Sequence, residues 1–390
     1  MTIPQKISAA ILSVLTILSI AGTPAMGEAE YNTADPSLPT VSLGIETAAG
    51  SAVLLDASGD TARVLWEHNA DEKRGPASTT KIMTALVAAE QMPLSSEITV
   101  AADAVGIEGS SVYLTEGEVL TLEELLYCTL LESANDAATA IAIAVSGSVE
   151  AFAELMNEKC REIGLSSTHF TNPHGLDDTE HYTTARELGM IAAEALKSDA
   201  LRKIFSTYKT TVRAPDGGTR YLINHNRLLR SVEGCIGVKT GYTKANGRCL
   251  VSAAERDGLR LIAVTLRDGN DWHDHTEMLE AGFDAYTRVD LRALAENALL
   301  PSVPVMDGEQ SAVMTAVSES LSVTLPKNAD EVVFRIETCS SLSAPVFAGD
   351  TAGTLTFYSG GKLIATAELT AAYAAAKKKE KGFWGRIFNN

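Results

Sequence analysis

A serine and a lysine stand three residues apart in Pro76-Ala-Ser-Thr-Thr-Lys81, just ahead of the apolar run 82–89. Serine is a weak nucleophile until a base takes its proton. Lysine can be that base only when neutral. Its pKa must then fall from ~10.4 toward neutrality, which costs roughly 4 kcal/mol for ~3 units. Burial on an apolar helix, with a second cation nearby, pushes in that direction. The sequence predicts that Pro76 opens a helix. Ser78 and Lys81 then meet on its first turn, because residues i and i+3 are neighbours there. A second Ser-x-x-Lys, at Ser206 and Lys209, runs into the strand-like Thr-Thr-Val and lacks that support.

Two further sets follow in chain order. Ser133-Ala-Asn135 is the sole Ser-x-Asn of the chain, and Lys239-Thr-Gly241 the sole Lys-Thr-Gly. Asn135 is suited to hold Lys81 and a substrate amide, and Ser133 to relay a proton to a leaving group. Lys239 to Gly241 reads as an edge strand beside which an extended peptide can add. There Thr240 would take a substrate carboxylate beside the positive Lys239, and Gly241 has no side chain to block the approach. Backbone N–H groups of Ser78 and Tyr242 would form the oxyanion hole. Taken singly, each residue has a plain reading as a helix cap, a polar helix end or a solvated edge charge. Together, in this order, they are the motif set of penicillin-recognising serine acyltransferases.

The elements that must position these residues are legible in outline. Ala52–Asp56 and Arg63–Trp66 read as a β-hairpin. Helical patterning covers Leu122 through Val145, Val149–Ile163, Thr184–Leu196 and His275–Tyr286. Ile236–Thr243, Cys249–Ala254 and Leu259–Leu266 read as strands. Strands at both ends with helices between them predict an α/β (α+β) domain, an antiparallel sheet flanked by helices. Beyond residue 289, runs rich in Val, Thr and Phe predict a small all-β domain, with Ser359-Gly-Gly361 as a tight turn.

The 390 residues, 45% hydrophobic and 21% charged, describe a globular chain of about two domains. A net charge of −18 is the wrong sign for a nucleic-acid partner. Residues 1–27 read as a secretory signal peptide, with Lys6 ahead of an apolar run and a small-x-small site at Ala25–Gly27. The expected layout is a leader at 1–27, a linker at 28–45, the catalytic domain at 46–289, the all-β domain at 290–372 and a basic tail at 373–390. In that tail Phe383, Trp384, Ile387 and Phe388 share one helical face beside basic residues, the pattern of an interfacial membrane anchor. Five widely spaced cysteines, an odd number, predict free and mostly buried thiols. If residues 244–247 turn a hairpin, Cys249 falls opposite Tyr242 rather than Cys235.

The chain resembles the serine D-Ala-D-Ala carboxypeptidases, the low-molecular-weight penicillin-binding proteins. PASTTKIMTAL, ESANDAA and VKTGYT carry the resemblance most specifically, with Asn172-Pro-His-Gly-Leu176, the stretch from His181 to Leu188, and Pro345–Leu355 in the all-β part. It spans roughly 46–372. The resemblance implies removal of the terminal D-alanine from peptidoglycan stem pentapeptides through an acyl-enzyme on Ser78, with acylation by β-lactams. It implies no cofactor and no metal. It also implies a site outside the cytoplasm, the tail holding the outer face of the cytoplasmic membrane. His174 reads as structural within its loop. Some members place a carboxylate-binding arginine near 270–274; here Asn-Asp-Trp-His-Asp fills that stretch, and Arg267 is only a nearby candidate. His273, Asp274 and His275 read as part of a wet turn. No Leu-Asn pair is present for a class A β-lactamase. A D,D-endopeptidase cutting cross-links and a non-catalytic wall-peptide scaffold are the alternatives.

Overall fold

The computed structural model describes residues 41–379 except 215–216 and 319–320. The expected leader, nearly all of the linker and the end of the tail (380–390) lie outside the described residues. The chain divides into two compact units, the second beginning at Arg288.

In the unit 40–287, strand β1 (Ser51–Asp56) pairs with β2 (Arg63–His68) as the hairpin that the sequence predicts. A small ribbon, β3 (Glu97–Thr99) with β4 (Val119–Thr121), and another, β5 (Lys209–Arg213) with β6 (Thr219–Ile223), lie outside the main sheet. The main sheet adds β7 (Cys235–Thr243), β8 (Gly247–Arg256) and β9 (Leu259–Leu266) in the order β2-β1-β9-β8-β7, antiparallel throughout. Strands from the two ends of the unit thus meet at β1 and β9, and β7 is an edge.

The alternation of side chains along a strand sends successive residues to opposite faces. Val53, Leu55, Val251 and Val264 join one core with helices α1 (Lys81–Gln91), α2 (Leu122–Leu131), α3 (Asn135–Ser146), α4 (Val149–Glu162), α5 (Ala185–Ala195) and α6 (Asp199–Ser206). Ala52, Leu54, Leu250 and Leu261 join another with α7 (Asp271–Ala285). Both faces are therefore covered. Each fully buried leucine here contributes roughly 1.5–3 kcal/mol.

Three expectations need correction. The helical patterning of 122–145 is two helices, broken at Glu132–Ala134, where Ser133 takes φ +61°. The period continues across the break because both helices bury apolar faces in the same core. Helix α7 begins at Asp271 rather than His275, with Asp271 and Asp274 in its first turn, where acidic side chains meet the positive end of the helix dipole. Asp271, Asp274 and His275 are buried, so this stretch is no wet turn. Finally, Cys249 faces Gly241, not Tyr242: pairing already starts at Thr243 and Gly247, leaving the three-residue loop 244–246 closed by Gly247 at φ +73°.

The other unit carries a six-stranded sheet in the order Val332–Thr338, Thr351–Ser359, Lys362–Ala371, Ala312–Val317, Ser302–Met306, Leu342–Ser343. Gly360 and Gly361, both with positive φ, form the predicted turn. All five cysteines are free. Burial pushes the Cys128 and Cys160 thiols up to about 12, which keeps them unreactive.

Candidate active site

Ser78 sits on a single 3-10 turn, Ala77–Thr80, and Lys81 is the first residue of α1. The expected first α-helical turn is thus a tighter one. Its entry is forced: Ala77 has φ +50°, and Gly175 packs so close that a Cβ there would lie 1.9 Å from the Ala77 carbonyl. His181 holds this turn from outside. Its Nδ1 accepts from the Thr171 amide at 3.0 Å, so Nε2 carries the proton and donates to Thr80 Oγ1 at 2.8 Å; that hydroxyl in turn donates to Ala77 O.

Lys81 is fully buried. Its Nζ lies 2.7 Å from Asn135 Oδ1, 2.7 Å from the His174 carbonyl and 3.0 Å from Ser78 Oγ. The two carbonyls can only accept, whereas the hydroxyl can donate. A neutral amine, with two N–H bonds and one lone pair, matches this set: the N–H bonds go to the carbonyls and the lone pair meets the Ser78 hydroxyl. Burial, then the Lys239 charge, pushes the Lys81 pKa well below the lysine range, while Asp136 opposes the shift. Lys239 is buried as well and is pushed down to about 7 by burial, against the pull of Glu132. Its Nζ donates to Thr240 O at 2.9 Å.

Asn135 is oriented from behind. Its Nδ2 donates to Glu108 O at 2.5 Å, which leaves Oδ1 for the amine, and its backbone N–H donates to Ser110 O at 2.7 Å. Asp136 secures that loop by accepting from Ser111 Oγ at 2.6 Å and the Leu114 amide at 3.0 Å. The His174 carbonyl is aimed by an Asn172 turn, in which Oδ1 accepts from the Gly175 amide at 2.7 Å. The His174 ring stays neutral, pushed down to about 3 by burial and then by the Lys81 charge.

Strand β7 closes the other wall. A Cβ on Gly241 would lie 3.0 Å from the Ser78 amide and 3.1 Å from the Pro76 carbonyl. Gly241 therefore admits the strand to the nucleophile turn, a closer role than clearing the way for substrate. A cavity of about 450 Å³ is lined by Ser78, Ser133, Thr240, Tyr242 and Arg248. Every predicted site residue thus lies in one place.

Sequence reasoning missed two contributors. One is the His174 carbonyl, a backbone atom that no side-chain pattern announces. The other is Arg248, on β8 directly across from Tyr242. Arg267 does not line the cavity; Arg248 does, held by Asp271 at 2.6 and 3.0 Å. The signal was the Asn-Gly-Arg turn, which starts β8 with an arginine beside Lys-Thr-Gly.

Comparison with known proteins agrees with this geometry. The D-alanyl-D-alanine carboxypeptidase family matches residues 35–270, and the C-terminal domain of penicillin-binding protein 5 matches 292–377. The chain is 34% identical to the D-alanyl-D-alanine carboxypeptidase DacF of Bacillus subtilis, over 83% of this chain and 85% of that one. It is 33% identical to DacC of Escherichia coli, over 86% of both. The structure is similar to that of penicillin-binding protein 5 from Haemophilus influenzae, with TM-score 0.66 and 28% identity, covering 85% of this chain and 98% of the other. With a buried lysine aimed at a serine and two family matches that together span most of the chain, this protein belongs to the serine-type D-alanyl-D-alanine carboxypeptidases, the low-molecular-weight penicillin-binding proteins.

Proposed function

We propose that this enzyme removes the terminal D-alanine from peptidoglycan stem pentapeptides through an acyl-enzyme on Ser78. The observation that carries the proposal is the fully buried Lys81 Nζ within 3.0 Å of Ser78 Oγ, where burial and the Lys239 charge favour the neutral amine that can turn its lone pair to the Ser78 hydroxyl. The peptide lies along the free edge of β7, and its carboxylate rests on Thr240 and Arg248. Ser78 Oγ attacks the penultimate D-alanine carbonyl while Lys81 takes the hydroxyl proton. The oxyanion forms between the amides of Ser78 and Tyr242. The proton passes by way of Ser133 to the departing amine. With Lys81 neutral again, water hydrolyses the ester. Asn135 holds Lys81 in place and binds the substrate amide.

β-Lactams enter by the same step and acylate Ser78. Stem peptides lie outside the cytoplasmic membrane, so this activity calls for export, which the leader at 1–27 would supply. The basic tail at 373–390 would hold the enzyme to the outer membrane face. In this reading 46–289 is the catalytic domain and 290–372 the all-β domain.

The purified protein is incubated with labelled penicillin and with an acyl-D-Ala-D-Ala peptide. The expected result is free D-alanine and a labelled band, both lost in Ser78→Ala. Absence of label on the intact protein would leave only the scaffold, and rapid turnover of the antibiotic would mark a β-lactamase.

A further inference from the structure

The β7 edge has an end that the mechanism above leaves unused. Thr240 holds the substrate carboxylate there, and Gly241 lies against the Ser78 turn, with a Cβ on it 3.0 Å from the Ser78 amide. A peptide added to β7 in antiparallel sense therefore runs back from its C-terminus at Thr240, past Ser78, toward Thr243. The residue that precedes D-Ala-D-Ala comes to lie at that end of the strand.

An acidic side chain stands at that end. Asp177 Oδ1 accepts from Thr243 Oγ1 and from Asn246 Nδ2, each at 2.7 Å. Thr243 Oγ1 in turn accepts from the Asn246 amide at 3.1 Å. The Asn246 side chain packs on Gly75, the residue before Pro76, and leaves no room for a Cβ there. One carboxylate thus ties together the β7–β8 loop and the segment that bears the His174 carbonyl, and the loop leans on the chain that enters the Ser78 turn. Both hydrogen bonds fall on a single oxygen. Among the described residues, Asp177 Oδ2 accepts no hydrogen bond and Asp177 makes no ion pair, although it is exposed and Lys244 lies in the loop that it holds.

A carboxylate aimed by neutral donors on one oxygen keeps its charge and offers the other oxygen to a cation. The reach suits a side chain of the substrate. The His174 carbonyl lies 2.7 Å from Lys81 Nζ, and Asp177 is three residues further on, at most ~11 Å of chain away. One peptide residue with a flexible four-carbon stem and an ammonium at its end covers a like span. We propose that Asp177 determines substrate specificity: its Oδ2 receives the side-chain ammonium of the residue that precedes D-Ala-D-Ala, so that the enzyme selects peptides with a basic residue there. This inference rests on the Ser78 mechanism above and on Thr240 marking the carboxylate end. It changes no bond in the reaction; Asp177 acts on binding. A plain latch would need only the two hydrogen bonds, which an uncharged amide oxygen accepts equally well, and that difference sets the test.

The test compares the full-length wild type with Asp177→Asn on two peptides that differ in one group. One is α-acetyl-L-Lys-D-Ala-D-Ala with its side-chain amine free, and the other is the same peptide with that amine acetylated. The wild type should prefer the free amine about three- to tenfold in kcat/KM, chiefly through KM, the worth of an ion pair between an exposed and a partly desolvated state. Added salt should shrink the preference. In Asp177→Asn the ratio of the two kcat/KM values should fall to about one. Asp177→Glu, which keeps the charge, should retain a preference, and Asp177→Lys should reverse it. Labelling by penicillin shows that each variant folds. A wild type that releases D-alanine equally from both peptides overturns the inference and spares the carboxypeptidase. So does an Asp177→Asn protein that keeps the preference, or one that loses activity on both peptides alike. A wild type that neither releases D-alanine nor takes penicillin overturns the Ser78 mechanism and this inference with it.

Discussion

Arg248 and Asp271 meet in a two-pronged ion pair, Nη2 to Oδ1 at 2.6 Å and Nε to Oδ2 at 3.0 Å. The pair holds the guanidinium over Trp272, 5.6 Å from the ring centroid, in the wall of the cleft. In the proposed mechanism one arginine edge is spent on positioning and the other reads the substrate carboxylate.

Arg248→Ala should lower kcat/KM for acyl-D-Ala-D-Ala by roughly 10–150-fold, the worth of a ~1.5–3 kcal/mol hydrogen bond to a charged group. Asp271→Asn should give a milder loss, because the arginine remains but is no longer held. Steady-state D-alanine release checks both. The parallel substrate ending in an amide should be slow with the wild type and indifferent to either change. Equal losses on the two substrates would remove Arg248 from carboxylate recognition.

Lys81→Arg keeps a cation in place but one that never deprotonates, so acylation by labelled penicillin should drop by about 10²–10⁴-fold. In the wild type the active form is the neutral amine, so the acylation rate should rise with pH through a pKa well below the usual lysine value. The Lys239 charge helps to depress that pKa. Lys239→Met should therefore move the rising limb to higher pH. A limb that stays put would show that burial alone sets the Lys81 pKa.

Gly241→Ala places a methyl group 3.0 Å from the Ser78 and Thr79 amides, so strand and turn must part by a few tenths of an ångström. Since an ~1 Å misplacement of reacting groups can cost ~10²-fold, a loss of about tenfold in acylation is expected. The melting temperature should change little, as the strand edge has room to give. Gly175→Ala is different, because its Cβ would meet a backbone carbonyl at 1.9 Å and the residue has φ +86°. That variant should lose several degrees in thermal melts along with its activity.

Three histidines, His181 and His275 buried and His174 half-buried, make the fold acid-sensitive. Burial holds His174 and His275 down to about 3 and His181 to about 4, against 6.5 for a free histidine. Below pH 6.5 the unfolded chain binds protons that the folded protein refuses. Stability is therefore lost as pH falls, by up to ~1.4 kcal/mol per pH unit for each group. Urea melts between pH 6.5 and 5, above the carboxylate range, should show this slope. His275→Gln should reduce it, whatever the change in absolute stability.

The sequence by itself determined the family, the candidate site residues and most of the frame. Ser78, Lys81, Ser133, Asn135 and Lys239–Gly241 were legible because each lies in a short run whose neighbours state its conformation: an apolar helix after Lys81, alternating strands around Thr240. The same locality explains the sheet, since the two-residue and near-four-residue periods of buried side chains are written in adjacent letters. The tertiary structure alone decided what depends on distant segments meeting. The break at Ser133 was hidden because two helices share one core and so continue one pattern. The choice of Arg248 over Arg267 followed from a hairpin one residue shorter than expected and from where Asp271 begins its helix. The His174 carbonyl, Gly241 against the Ser78 turn and the cavity itself have no letter at all. They are properties of backbone and empty space, which come into being only when distant stretches of chain pack together.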